Sequence, residues 1–237
     1  MRRLEIHWFV TPRKIRRFKV AGIWRLSNHW FVTRLNIIYG ASMKYVCKKS
    51  SFKYGDCIIE IPNGSLGWCR DIMFSALNQI EALLSVTSRV FIIRFDSHVS
   101  GYSQDNAQIS IFRRRLIKSL RRRYPDLLFG YIWVREQEKA KQQHYHFAFI
   151  VDAERVPSAS VVLDAAIKAW ERLTGIHPHV PKHPYYIVKR GDEQSFIEAA
   201  GRISYLAKSR GKGYRPDQTK DYGTSRFKMK AANDSRF

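Results

Sequence analysis

Cysteine is scarce in this chain and follows no pattern. Cys47, Cys57 and Cys69 are odd in number and lack a C-x-x-C spacing. This excludes a disulfide framework and a structural zinc module, and fits a reduced, cytoplasmic setting. Long apolar runs are also missing. No stretch approaches the roughly 18 residues of a membrane-spanning helix, and the basic N-terminus lacks the apolar core of a signal peptide. Neither terminus forms a clean basic amphipathic helix, so a membrane is not an expected partner. Acid is in short supply, with 20 Asp plus Glu against 42 Lys plus Arg and a net charge of +22. An excess of that size attracts polyanions, nucleic acid first among them. The 45% hydrophobic content over 237 residues is enough for a folded core of one or two domains.

Four segments differ in character. Residues 1–42 carry nine basic residues, from Arg2 to Arg34, against the single acid Glu5. Within them His7-Trp8-Phe9-Val10-Thr11 recurs as His29-Trp30-Phe31-Val32-Thr33. A basic aromatic arm on DNA, or translated upstream sequence ahead of a true start at Met43, both account for this stretch. Residues 43–86 read as short strands, a turn at Asn63-Gly64 and a leading helix whose apolar face includes Ile72, Leu77, Ile80, Leu83 and Leu84. Residues 87–210 form the main domain. Residues 211–237 are basic and polar and read as a flexible tail.

In the main domain Val90-Phe91-Ile92-Ile93 is a strand ending near Asp96, and Ile109–Tyr124 is a helix with an arginine-rich outer side. Phe129–Glu136 and His144–Val151 are strands joined by a polar turn; Ser158–Leu173 is a helix, Tyr185–Lys189 a strand and Glu193–Lys208 a helix. The order βαββαβ predicts an α+β fold, a ferredoxin-like or RRM-like antiparallel sheet with helices on one face, followed by a helix that carries Tyr205. Chain direction gathers Asp96, Glu136, His144 and His146 at one end of the sheet. The strand Tyr185–Arg190 leads away over about 17 Å, and the helix Glu193–Tyr205 returns over about 18 Å. Tyr205 therefore comes back to the histidine end.

His144-Tyr145-His146 starts a strand, so alternation puts both imidazoles on one face, about 6.6–6.8 Å apart. Two histidines and one oxygen ligand leave open positions on an octahedral Mg²⁺ or Mn²⁺. Glu136 is the expected third ligand, provided the hairpin turns about Ala140; Gln142 and Glu138 are its rivals. Tyr205-Leu206-Ala207-Lys208 sets a phenol and an ammonium one helical turn apart. Tyr205 would be the nucleophile toward a phosphate and Lys208 its electrostatic support. His177-Pro178-His179 has the same form but lies among prolines, so it is expected in a loop, suited to touching phosphate and not to holding the catalytic metal. His98 is expected to be a polar loop residue. The outer side of the helix 109–124, with Arg113, Arg114, Lys118, Arg121 and Arg122, is the expected DNA-binding face.

Val90 to Asp96, Trp133-Val134-Arg135-Glu136 through His144-Tyr145-His146, and Tyr205-Leu206-Ala207-Lys208 resemble the HUH endonuclease superfamily. Within it they are similar to the inovirus gene II-type replication initiators, a family that includes the YagK/YfjJ-like C-terminal domain of cryptic prophages. The likeness covers roughly residues 72–228. It implies a rolling-circle replication initiator of a phage, prophage or plasmid, metal-dependent and without a small-molecule cofactor. Such an enzyme nicks single-stranded origin DNA, forms a 5′-phosphotyrosine and leaves a 3′-hydroxyl for host helicase and polymerase. It puts the metal on His144 and His146 and the nucleophile on Tyr205. Gly201 and Ser209 stand where a second tyrosine would be, which implies the single-tyrosine subclass. Tyr145, between the histidines, is a mild departure. Two other readings use the same parts: a non-catalytic RRM-like nucleic-acid-binding protein from a decayed prophage, and a hydrolytic metal nuclease in which water attacks.

Overall fold

The computed structural model describes residues 46–137 and 142–229. The repeated His-Trp-Phe-Val-Thr unit, Glu138 and the last eight residues lie outside the described residues. The first elements are short: β1 (Val46–Cys47), β2 (Ser51–Tyr54), β3 (Cys57–Glu60) and β4 (Trp68–Cys69). They form two separate antiparallel pairs, β1 with β4 and β2 with β3. Next come α1 (Arg70–Leu84), β5 (Arg89–His98), α2 (Ala107–Arg123), β6 (Phe129–Glu136) and β7 (His144–Asp152). The chain continues through α3 (Ala159–Thr174), β8 (Tyr185–Lys189), α4 (Glu193–Ala207) and β9 (Tyr222–Thr224). The result is a mixed α+β architecture with four helices among the described residues.

Five strands form one antiparallel sheet in the order β8-β5-β7-β6-β9. Its two faces bury different side chains because neighbouring residues of a strand point opposite ways. One face presents Phe91, Phe95, Phe129, Trp133, Phe147 and Phe149 to α2 and α3. The other presents Val90, Ile92, Ile132, Val134, Ala148 and Ile150 to α1 and α4. Helices therefore cover both faces, not one as the sequence reading expected. The physical signal was present: β5 and β7 are apolar at successive positions, as strands buried on both sides are.

The described part of the expected tail is also ordered into the fold. Tyr222–Thr224 pairs with Ile132–Val134 as the fifth strand. Gln79 on α1 holds the residues just after β9: it accepts from the Phe227 amide at 3.1 Å and from Ser225 Oγ at 2.6 Å. Gly223 is required at the crossing, because a Cβ there would lie 2.8 Å from the Trp133 ring. Among the described residues no helix is long and apolar enough to cross a membrane.

Candidate metal centre and tyrosine

Register builds the site. β6 and β7 pair Glu136 with His144 and Val134 with His146, while β5 pairs Asp96 with His146 and His98 with His144. Since Val134 and Ala148 belong to the α1/α4 face, alternation places Arg94, Asp96, Glu136, His144 and His146 on that face too. β5 runs five residues beyond its last pairing with β8 at Ile93 to reach this end. The exposed edge there is taken up by the 177–184 segment: Arg94 N–H donates to Pro184 O, and Asp96 and His179 exchange backbone bonds of 3.0 and 2.8 Å. The second His-x-His is thus laid along β5 by its backbone. Its His177 ring lies 2.6 Å from Glu171 Oε1, away from the centre.

One ligand atom each from Glu136, His144 and His146 lie within 4.8 Å of one another, so the three could hold a metal ion. Glu136 Oε2 is 3.6 Å from His144 Nε2 and 3.4 Å from His146 Nε2. Asp96 Oδ1 lies 2.8 Å from His146 Nδ1. Despite that distance, neither ring nitrogen of His146 makes a hydrogen bond of regular geometry, and both are buried. Buried nitrogens left unsatisfied beside a carboxylate are what a ligand set for a cation looks like. With Asp96 beside Nδ1, Nε2, the nitrogen nearer Glu136, is the candidate ligating atom. Of the rival third ligands, Gln142 turns aside to donate to Ser100 O at 3.1 Å.

The charges are tightly packed. Lys212 Nζ is 2.8 Å from Glu136 Oε1 with its side chain fully buried, and it also donates to Lys208 O. Lys208 Nζ is 3.2 Å from Glu136 Oε2. Burial opposes ionisation of Glu136, but His144, His146 and the Lys212 ammonium outweigh it and hold the carboxyl far below its usual range. Burial likewise disfavours the His146 imidazolium, yet Asp96 and Glu136 raise its pKa above the ordinary value. Desolvation, then the His144 and His146 charges, lower the pKa of His98. His98 is not a loop residue: it ends β5 and stacks on His144 at 5.6 Å between ring centroids.

Tyr205 comes from the last turn of α4, whose N-terminus is capped by Asp192 accepting from the Ser195 amide at 3.1 Å. Its ring meets His146 edge-on, centroids 5.3 Å apart, and is 43% exposed. Lys208 follows the helix end and bridges to Trp68 of β4. Its Nζ sits 4.0 Å from the Tyr205 ring centroid. Burial lowers the Lys208 pKa, but the tyrosine oxygen and Glu136 more than compensate and raise it.

The structure thus brings Glu136, His144, His146, Tyr205 and Lys208 together. Residues 66–225, more than half of the chain, match the YagK/YfjJ C-terminal domain. The chain belongs to that family. No curated protein matches it in sequence. The YagK/YfjJ match runs from just before β4 to just after β9, and so contains the whole centre.

The expected DNA-binding residues lie elsewhere. Arg113, Arg114, Lys118 and Arg121 line a groove of about 530 Å³ together with Tyr131. α2 packs on the aromatic face, so this groove is on the opposite side of the sheet from His144 and His146. Arg113 is half-buried, its guanidinium 4.6 Å from the Tyr131 ring centroid, while Arg122 is exposed outside the groove. Two residues of the centre escaped the sequence reading. Lys212 sits in Gly211-Lys212-Gly213, inside a basic polar run that resembles a solvated tail. Gly211 (φ +78°) lets the chain pass close, since a Cβ there would lie 3.3 Å from Glu136 Cβ. Arg94 is a lone charge within the apolar run of β5.

Proposed function

We propose that this chain is an HUH-type, single-tyrosine DNA nicking-joining endonuclease, the rolling-circle replication initiator of a prophage-related, phage or plasmid element. The observation that carries the reading is the contact of Tyr205 with His146 beside three convergent ligand atoms. A tyrosine nucleophile needs accessibility, a neighbouring cation and a means of offsetting phosphate charge. Tyr205 is exposed enough to meet a strand, and Lys208 supplies the cation. Glu136, His144 and His146 would hold the ion, Mg²⁺ or Mn²⁺ by their donor types. Such an ion, when bound, offsets charge on a phosphate oxygen.

In the proposed reaction Tyr205 Oη forms a bond to phosphorus as the P–O3′ bond breaks. The phenolic proton is lost, and the departing oxygen takes up a proton to become the 3′-hydroxyl. Lys208 stabilises charge on Oη and on the phosphate. No oxidant or reductant is involved, and the reverse step rejoins the strand. The element order and the strand order β8-β5-β7-β6 support a ferredoxin-like arrangement underneath this site. A bacterial cytoplasm, an origin in single-stranded form and the host helicase and polymerase complete the proposed setting.

RRM-like recognition stacks bases on aromatics of an open sheet face. Here those aromatics face α2 and α3, which disfavours that reading. The test is incubation with single-stranded oligonucleotides and Mn²⁺, then a denaturing gel and mapping of the modified residue. The expected product is a covalent adduct on Tyr205, absent in Tyr205→Phe. Cleavage without an adduct would turn the reading to a hydrolytic nuclease.

A further inference from the structure

The Tyr205 ring is approached by two cations. Besides Lys208, the Arg94 guanidinium lies 4.2 Å from its centroid. Arg94 projects from β5 on the same sheet face as His146, with its side chain 15% exposed. Asp96 braces it: Oδ2 accepts from Nη2 at 3.2 Å, while Oδ1 of the same carboxylate stands 2.8 Å from His146 Nδ1. One carboxylate therefore holds both the guanidinium that faces the tyrosine ring and the imidazole that meets its edge. Arg94 Nε is buried without a hydrogen-bond partner. That donor gains no hydrogen bond from the fold, which calls for another reason for the head's placement. What its head gains is the π face of Tyr205.

We propose that Arg94 is a positioning residue for Tyr205, holding the ring together with Lys208 so that the phenol stays beside the Glu136–His144–His146 group. This rests on Tyr205 being the nucleophile. The ring stands in the last turn of α4, where rotation about two side-chain bonds would carry it into solvent. Arg94 and Lys208 oppose that swing, and the edge of His146 sets its limit. A reacting group displaced by about 1 Å can lose about 100-fold in rate.

Two measurements on Arg94→Met test this. At saturating single-stranded DNA and Mn²⁺, the rate of tyrosyl-adduct formation falls about 10- to 100-fold, with DNA affinity little changed. Independently of chemistry, 3-fluorotyrosine placed at position 205 reports the ring's surroundings by ¹⁹F NMR. Its resonance moves toward the free amino-acid position in the variant, a change that general loss of packing elsewhere does not produce. Arg94→Lys, which keeps the charge but not the planar head, moves both readouts in the same direction and serves if the Met variant does not fold. An unchanged resonance, or a moved resonance with a wild-type rate, overturns the proposal. If the wild type forms no adduct, the nucleophile reading fails, and the resonance alone decides whether Arg94 holds the ring.

Discussion

Glu136 answers to four groups at once: His144, His146, Lys208 and Lys212. With its side chain 3% exposed and that of Lys212 at 0%, neither charge can fall back on water. Removing Lys212 takes the nearest of these partners from a carboxylate that cannot reach water, and breaking a buried pair typically costs about 3–5 kcal/mol. Lys212→Met is therefore expected to cost that much in urea unfolding of the metal-free protein, with much of it regained in a Lys212→Met, Glu136→Gln double variant. A single-variant loss below about 1 kcal/mol would mean the pair behaves like a surface ion pair. The same groups set a pH window. Glu136, held below its ordinary 4.5, adds stability that is present above that pH and lost as pH falls toward its folded value. His146, held above its ordinary 6.5, adds stability that is present below that pH and lost as pH rises through its folded value. Both contributions are at full strength together only between those two ordinary values. In chelator, the Tm gap between the wild type and a Glu136→Gln, His146→Gln variant is expected to be widest there and to narrow on either side. A gap that grows steadily to pH 9 would contradict the assigned directions.

Among elements, β9 is the one whose loss can be produced by a single side chain. It has three residues and, among the described residues, pairs only with Ile132–Val134. Gly223→Val would drive a branched side chain into the Trp133 ring, so β9 must lift or Trp133 must turn. Overpacking of this kind costs about 1–3 kcal/mol, to be read as a lowered urea midpoint with the slope unchanged. Wild-type stability would show that the edge pairing is dispensable. β9 was illegible in the sequence for the reason that it is fragile: Tyr-Gly-Thr is too short for an alternating pattern and lies in a polar, basic run. By contrast Phe129–Glu136 and Tyr185–Lys189 were readable to the residue, because apolar runs bounded by turn residues have few alternatives. The His144–Glu136 pairing was readable because a hairpin fixes register by counting. Lys212 and Arg94 were not, since which charge ends up beside a buried carboxylate or an aromatic ring depends on contacts between elements distant in sequence. Coverage of both sheet faces could have been inferred from the unbroken apolar runs of β5 and β7.

At the scale of the molecule, the basic stripe of α2 and the proposed chemistry are on different sides of the sheet. The basic outer surface of α2 runs along the aromatic face, whereas the histidines and Tyr205 lie on the other. α2 follows β5, which ends at the site, so its first turn is near that end and Arg121 is about 21 Å farther along the helix. Under the proposed function, a strand bound at Tyr205 would have to pass around the sheet to reach the whole stripe. Reversing Arg114, Lys118 and Arg121 to Glu should therefore weaken DNA binding and flatten its dependence on salt, because fewer counterions are released. The rate from the saturated complex should be nearly unaltered. An unchanged salt slope would identify the stripe as solvated surface only.

The nine basic residues of positions 1–42 raise the same division between affinity and chemistry. Among the described residues, every group at the centre, from Arg94 to Lys212, comes from the sheet, α4 and the segment just after it. The YagK/YfjJ match starts at residue 66. The basic stretch can add electrostatic attraction for DNA, and that contribution should fade as salt rises. A chain begun at Met43 is thus expected to need more DNA for saturation at low salt, yet to form the Tyr205 adduct about as fast as the full chain once saturated. Adduct rate against DNA concentration, at two salt concentrations, separates the two effects. If the shortened chain folds and binds but cleaves much more slowly at saturation, residues 1–42 belong to the working site.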